Sequence, residues 1–71
     1  MAVARFRMKT LTVAIERHGA DTKLLQIPAE TAVIVLGELS ESNRLVDVDW
    51  NGRIVMMFTR DLLERAERIT G

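Results

Sequence analysis

Three groups of residues in this chain have types and spacings that chemistry can use. Glu16, His18 and Asp21 surround the sole histidine and Gly19, a set suited to a divalent cation or an acid–base pair. A structural metal site usually draws on four ligands, so a solvated loop is the plainer reading, and no metal or cofactor is expected. Asp47 and Asp49 alternate along one run, which puts both carboxylates on one strand face about 7 Å apart. Paired carboxylates divide into acid and base where a cleft raises one pKa. A chain of 71 residues has no room for a cleft between domains, and pairing of these acids with Arg53 or a basic strand is simpler. Arg5, Arg7 and Lys9 alternate with Phe6 and Met8 and form a basic stripe. With Trp50 as a stacking platform, the stripe fits single-stranded nucleic-acid binding by a small barrel.

Charge weakens that last reading. Ten basic residues balance ten acidic ones: residues 1–23 carry +3, residues 24–50 carry −4 and residues 51–71 carry +1. A nucleic-acid binder normally concentrates its basic excess. Here the two signs suit pairing across strands or between subunits. Cysteine is absent, which excludes disulfides, thiolate zinc sites and a cysteine nucleophile. No Gly-rich phosphate loop or Ser-His-Asp order is present. No apolar run reaches the roughly 18 residues of a membrane span, and the start turns charged at Arg5 and Arg7, so no membrane association and a cytoplasmic location are expected.

The elements that position these residues read mostly as strands. Phe6 and Met8 alternate with Arg7 and Lys9, and the apolar phase then shifts to Leu11, Val13 and Ile15, which predicts one strand with a bulge or break near Lys9-Thr10. Residues 16–22 read as a hairpin loop returning along Lys23 to Ile27, and Pro28 opens a turn. Ala32-Val33-Ile34-Val35-Leu36 reads as a central strand covered on both faces. Arg44 to Asp49 alternates again, with Val46 and Val48 on one side.

Asn51-Gly52 is the strongest hairpin signal in the chain. A two-residue turn puts Val55 and Met57 beside the valines; a three-residue turn puts Ile54, Met56 and Phe58 there and is preferred for its bulk. Either register leaves large apolar side chains outside. Thr59 reads as the N-cap of a closing helix over about 60–69, laced by Arg60–Glu64, Asp61–Arg65 and Glu64–Arg68 at i,i+4 spacing.

These signals predict a single mainly β domain over residues 1–71: a small antiparallel five-stranded barrel with a short C-terminal helix. Ile27-Pro28-Ala29, the phrase Arg44 to Phe58 around Asn51-Gly52, and Asp61-Leu62 together resemble a group of short uncharacterised bacterial proteins with an SH3-like fold. That resemblance covers about the C-terminal two-thirds of the chain and implies architecture alone.

For function, the residues point to a non-catalytic homo-oligomeric or protein-binding module. Its interface is expected at Trp50, Ile54, Val55, Met56, Met57 and Phe58, because strict alternation forces part of this run outward and Trp and Met suit contact surfaces. The alternatives are nucleic-acid binding through Arg5, Arg7, Lys9 and Trp50, and an oligomeric enzyme whose pore collects copies of Asp47, Asp49 and Arg53.

Overall fold

The computed structural model describes residues 4–40 and 42–69. Its elements in chain order are β1 (Ala4–Met8), β2 (Thr12–His18), β3 (Asp21–Ile27), β4 (Ala32–Val35), β5 (Leu45–Trp50), β6 (Arg53–Phe58), the helix α1 (Thr59–Arg65) and β7 (Ala66–Ile69). The strands form one antiparallel sheet in the order β3-β2-β6-β5-β4-β1-β7. The mainly β expectation holds. Among the described residues the strand count is seven rather than five, and the sheet does not close, since β3 and β7 are its two ends.

The two additional strands have separate causes. The first expected strand is cut at Lys9, Thr10 and Leu11 into β1 and β2. It resumes in the same phase, because Phe6, Met8, Thr12, Ala14 and Glu16 are all buried. Leu11, Val13 and Ile15 thus turn outward, against the expected shift of the core face. The second is β7, which occupies most of the expected second half of the helix.

α1 stops at Arg65, where Ala66 is extended, and β7 then pairs with β1 through Arg5↔Ile69, Phe6↔Arg68, Arg7↔Glu67 and Met8↔Ala66. That pairing satisfies an edge of β1 that would otherwise be bare. The Arg60–Glu64 and Asp61–Arg65 pairs form at 3.5 and 3.6 Å, whereas Arg68 has left the helix. Phe58, not Thr59, is the N-cap. Thr59 is buried as the first helical residue: its N–H donates to the Arg44 carbonyl at 2.9 Å and its hydroxyl to the Asn43 carbonyl at 2.6 Å. These bonds tie the helix start to the loop before β5.

Turn chemistry sets both hairpins. Gly19, at φ +59°, leads a two-residue turn with His18 opposite Asp21, so the expected seven-residue loop is mostly strand. Asn51 (φ 54°) and Gly52 (φ 82°) form a two-residue turn of the left-handed kind, with Trp50 opposite Arg53. The Gly52 N–H donates to Asp49 Oδ1 at 2.8 Å. The preferred three-residue register is therefore overturned: Val55 and Met57 join Val46 and Val48 inside. A two-residue turn matches the twist of the strands and still fills the core.

The core takes the inward residues of every strand together with Leu62 of α1. β4 is interior to the sheet, but only Val33 and Val35 are buried, so one of its faces is covered rather than two. Gly37 lies so close to β5 that a Cβ there would sit 2.8 Å from Val46 Cγ2. Among the described residues, no helix is long and apolar enough to cross a membrane.

Candidate interaction surface

The outer face of the sheet carries an apolar surface whose position follows from the pairing. Ile15 is opposite Leu24 on one side and Met56 on the other, and Met56 is opposite Asp47. Directly opposed residues share a face, so Leu24, Ile15, Met56 and Asp47 form one row across four strands. Val13 and Phe58 are each two residues from the Ile15–Met56 pair and lie one step along the same face, with Leu45 opposite Phe58. In the other direction stand Arg17 and Ile54, with Asp49 opposite Ile54 and Ile34 opposite Asp49.

This face is not a solvated polar one. Leu24 is 70% exposed, Ile54 55%, Phe58 43% and Val13 41%. At the centre is a shallow depression of about 270 Å³ lined by Ile15, Arg17, Asp47, Ile54, Val55 and Met56. Phe58 also borders an open groove of about 730 Å³ shared with Leu63, Arg44 and Arg60. Grouped apolar residues rimmed by single charges are the usual composition of a protein contact surface.

Of the six expected interface residues, Ile54, Met56 and Phe58 lie on this surface. Val55 and Met57 are core residues. Trp50 has the inward phase and packs half-buried against the core, so it covers one end of the molecule rather than projecting from the hairpin tip. Its indole N–H is buried without an acceptor among the described residues. The β2 and β3 half of the surface, Val13, Ile15 and Leu24, was not part of the expected interface. Two readable signals point to it: a second apolar phase in β2, and a Leu24-Leu25 pair of which only one member can face inward.

The other candidate groups are placed differently. Glu16 is nearly buried: its Oε2 lies 3.1 Å from Arg53 Nε, and its Oε1 lies 2.9 Å from His18 Nε2. Arg53 thus serves Glu16 on the inner face, not Asp47 and Asp49, and it ties the β5–β6 hairpin to the β2–β3 hairpin. A glutamate in the buried phase of β2 needs such a cation. Asp21 faces His18 across the hairpin but joins no ion pair among the described residues. No group of three or more His, Cys, Asp or Glu there is placed to hold a metal ion.

Asp47 and Asp49 do share the outer face, though Asp49 is engaged in its turn. Arg7 forms ion pairs with Glu67 and, at 3.7 Å, with Glu30. The hydrogen bond and charge of Glu67 raise the Arg7 pKa above the ordinary arginine value. Arg5 is opposite Ile34, which is opposite Asp49, so Arg5 is on the outer face while Trp50 is on the inner one. The structure does not bring the basic stripe and the indole together. Comparison with protein-family models, with curated proteins and with solved structures finds no match for this chain.

Proposed function

We propose that this chain is a small open-sheet domain of SH3-like architecture that works without catalysis, by contact with protein, as a homo-oligomer or a binding module. The strand order supports the architecture: a long hairpin (β2–β3), a three-strand meander (β4–β5–β6), and a first strand held between β4 and the last. The observation that carries the function is the grouping of Leu24, Val13, Ile15, Ile54, Met56 and Phe58 on one outer face. A chain of this size draws only a few kcal/mol from its own core, so burying such a face against a neighbour is a large gain.

Sedimentation velocity at micromolar concentrations tests the self-associating form. We expect a species larger than the monomer whose mass falls in the Ile54→Lys, Met56→Lys double variant, which stays folded with a thermal midpoint lowered by the lost association. Binding of an apolar fluorescent dye tests whether the face is open to any partner. A monomer at every concentration that binds no dye overturns both forms of the reading.

A further inference from the structure

β3 is one end of the sheet, so among the described residues one of its edges has no strand beside it. Its register with β2 identifies the backbone groups that face this open edge. The two-residue turn makes His18 and Asp21 a hydrogen-bonded pair, and bonded and non-bonded pairs alternate from there along an antiparallel ladder. Lys23, Leu25 and Ile27 therefore direct their N–H and C=O groups to β2. Those of Thr22, Leu24 and Gln26 point away from it. The strand has seven residues, an unbroken register and no proline. Native sheets usually blunt such an edge by shortening, charging or covering it. Here the strand's charges, Asp21 and Lys23, lie in the inner phase opposite His18 and Glu16 of β2, and its outer phase carries the most exposed large hydrophobic side chain among the described residues, Leu24.

We propose that β3 pairs antiparallel with β3 of a second copy of this chain, with Leu24 opposite Leu24 on a two-fold axis. The inference rests on the reading that the protein self-associates and adds a second contact to it: edge pairing sets two copies side by side and joins their outer faces into one continuous surface. Two-fold pairing must match outward-facing groups with outward-facing groups. Leu24 with Leu24 and Thr22 with Gln26, the latter twice, give three such pairs of two bonds each, six in all. Centring the axis on Lys23 or Leu25 gives two pairs, and centring on Thr22 runs into the partner's turn at Ala20.

Side chains select the same register. The most exposed leucine meets its own copy, and Lys23 meets Leu25 while Glu16 stands opposite Lys23 on its own sheet. No like charges are directly opposed, whereas centring on Lys23 would set two lysines face to face. The apolar row of Leu24, Ile15 and Met56 then continues unbroken into its symmetry mate.

Sedimentation of the full chain, with Gln26→Pro and Ile54→Lys beside it, tests the proposal. Proline at position 26 removes a donor that faces away from β2, so the monomer keeps its own ladder while two of the six intersubunit bonds are lost. The dimer Kd should rise about tenfold or more. Leu24→Cys reads the register in this cysteine-free chain, because opposed residues lie within disulfide range. Oxidation should link Leu24→Cys copies and leave Thr22→Cys copies unlinked. A dimer that Gln26→Pro leaves intact and Ile54→Lys dissolves overturns the edge pairing while the outer-face reading stands. Linkage of Thr22→Cys in place of Leu24→Cys overturns the register. A monomer at all micromolar concentrations, with no Leu24→Cys linkage, overturns the edge pairing and the self-associating form of the outer-face reading.

Discussion

The sheet ends in two unlike ways. β7 is four residues long, presents Glu67 and Arg68, and is tied to β1 by the Arg7–Glu67 ion pair. β3 is seven residues long and mostly exposed, with Leu24 projecting from its outer face. A short charged edge discourages further strand addition, and a long one with outward amides and an exposed leucine favours it. What differs is the element behind each edge. β7 is delivered by α1, whose Leu62 is fully buried, so its position depends on the core. The exposed part of β3 is held by a hairpin whose inward anchor is Glu16 with its ion pair to Arg53. One edge is therefore an extension of the core and the other an arm projecting from it.

Removing each anchor separates these descriptions. Leu62→Ala should cost about 2–5 kcal/mol, the range for large core truncations, which is comparable to the whole stability of a chain this small. Urea unfolding is expected to find the variant largely unfolded in buffer. Retention of most of the wild-type midpoint would mean that α1 and β7 dock without relying on the core. Glu16→Ala should cost less, about 1–3 kcal/mol, because Arg53 is half exposed and regains water while His18 loses a hydrogen-bond partner. The loss should be local. Amide exchange is expected to quicken in the outer half of the β2–β3 hairpin and to stay slow at Val46, Val48 and Met57. Uniform quickening would show that the hairpin is not a separate arm. Arg7→Ala, which removes two exposed ion pairs at the other edge, should leave the thermal midpoint almost unchanged.

The same contrast accounts for what could be read in advance. Features held by adjacent residues were legible: the Asn51-Gly52 turn, the inward phase of Val46 and Val48, the turn after Ile27, and the beginning of a helix near Arg60 with its first two ion pairs. Features decided by distant pairing were not. Ala66 to Ile69 have helical spacing and neighbours, yet β1 at the far end of the chain claims them as a strand. In β2 both phases contain apolar residues, so alternation could not say that Ala14 and Glu16 face inward while Val13 and Ile15 face outward. The candidate surface was accordingly half visible. Ile54, Met56 and Phe58 are in the expected interface although the preferred register turns them inward, and joining them to Ile15 and Leu24 needs the β2–β6 pairing. The bulkier hairpin register fails for a related reason: bulk does not mark the inside here, since Ile54, Met56 and Phe58 are in the outer phase of β6 while Val55 and Met57 fill the core.

The turn at the far end of β3 offers the finest test of the two-edge picture. Glu30 sits there at φ 68°, a left-handed conformation that costs a side-chain-bearing residue about 1–2 kcal/mol. Its N–H donates to the Met8 carbonyl at 2.7 Å and the Met8 N–H donates to the Thr31 carbonyl at 2.9 Å, so the core-side end of β3 is pinned to β1 by a strained turn. Glu30→Gly relieves that strain, while glycine's greater freedom in the unfolded chain offsets about 0.5–1 kcal/mol of the gain and the exposed, screened Arg7 pair is lost. The balance is a stabilisation of about 0.5 kcal/mol, or roughly 2–4 °C in the thermal midpoint. Glu30→Asn should come close to it, and Glu30→Val should fall below the parent chain because a β-branched residue fits left-handed backbone worst. None of the three should alter the dimer Kd, because the turn lies at the core-side end of β3 and the proposed pairing begins at Gln26. A glycine variant less stable than the parent would mean that the turn is held by the Glu30 side chain rather than against it. A shift in Kd that followed the turn's stability would mean that the β3 edge is set by the core after all, as the β7 edge is.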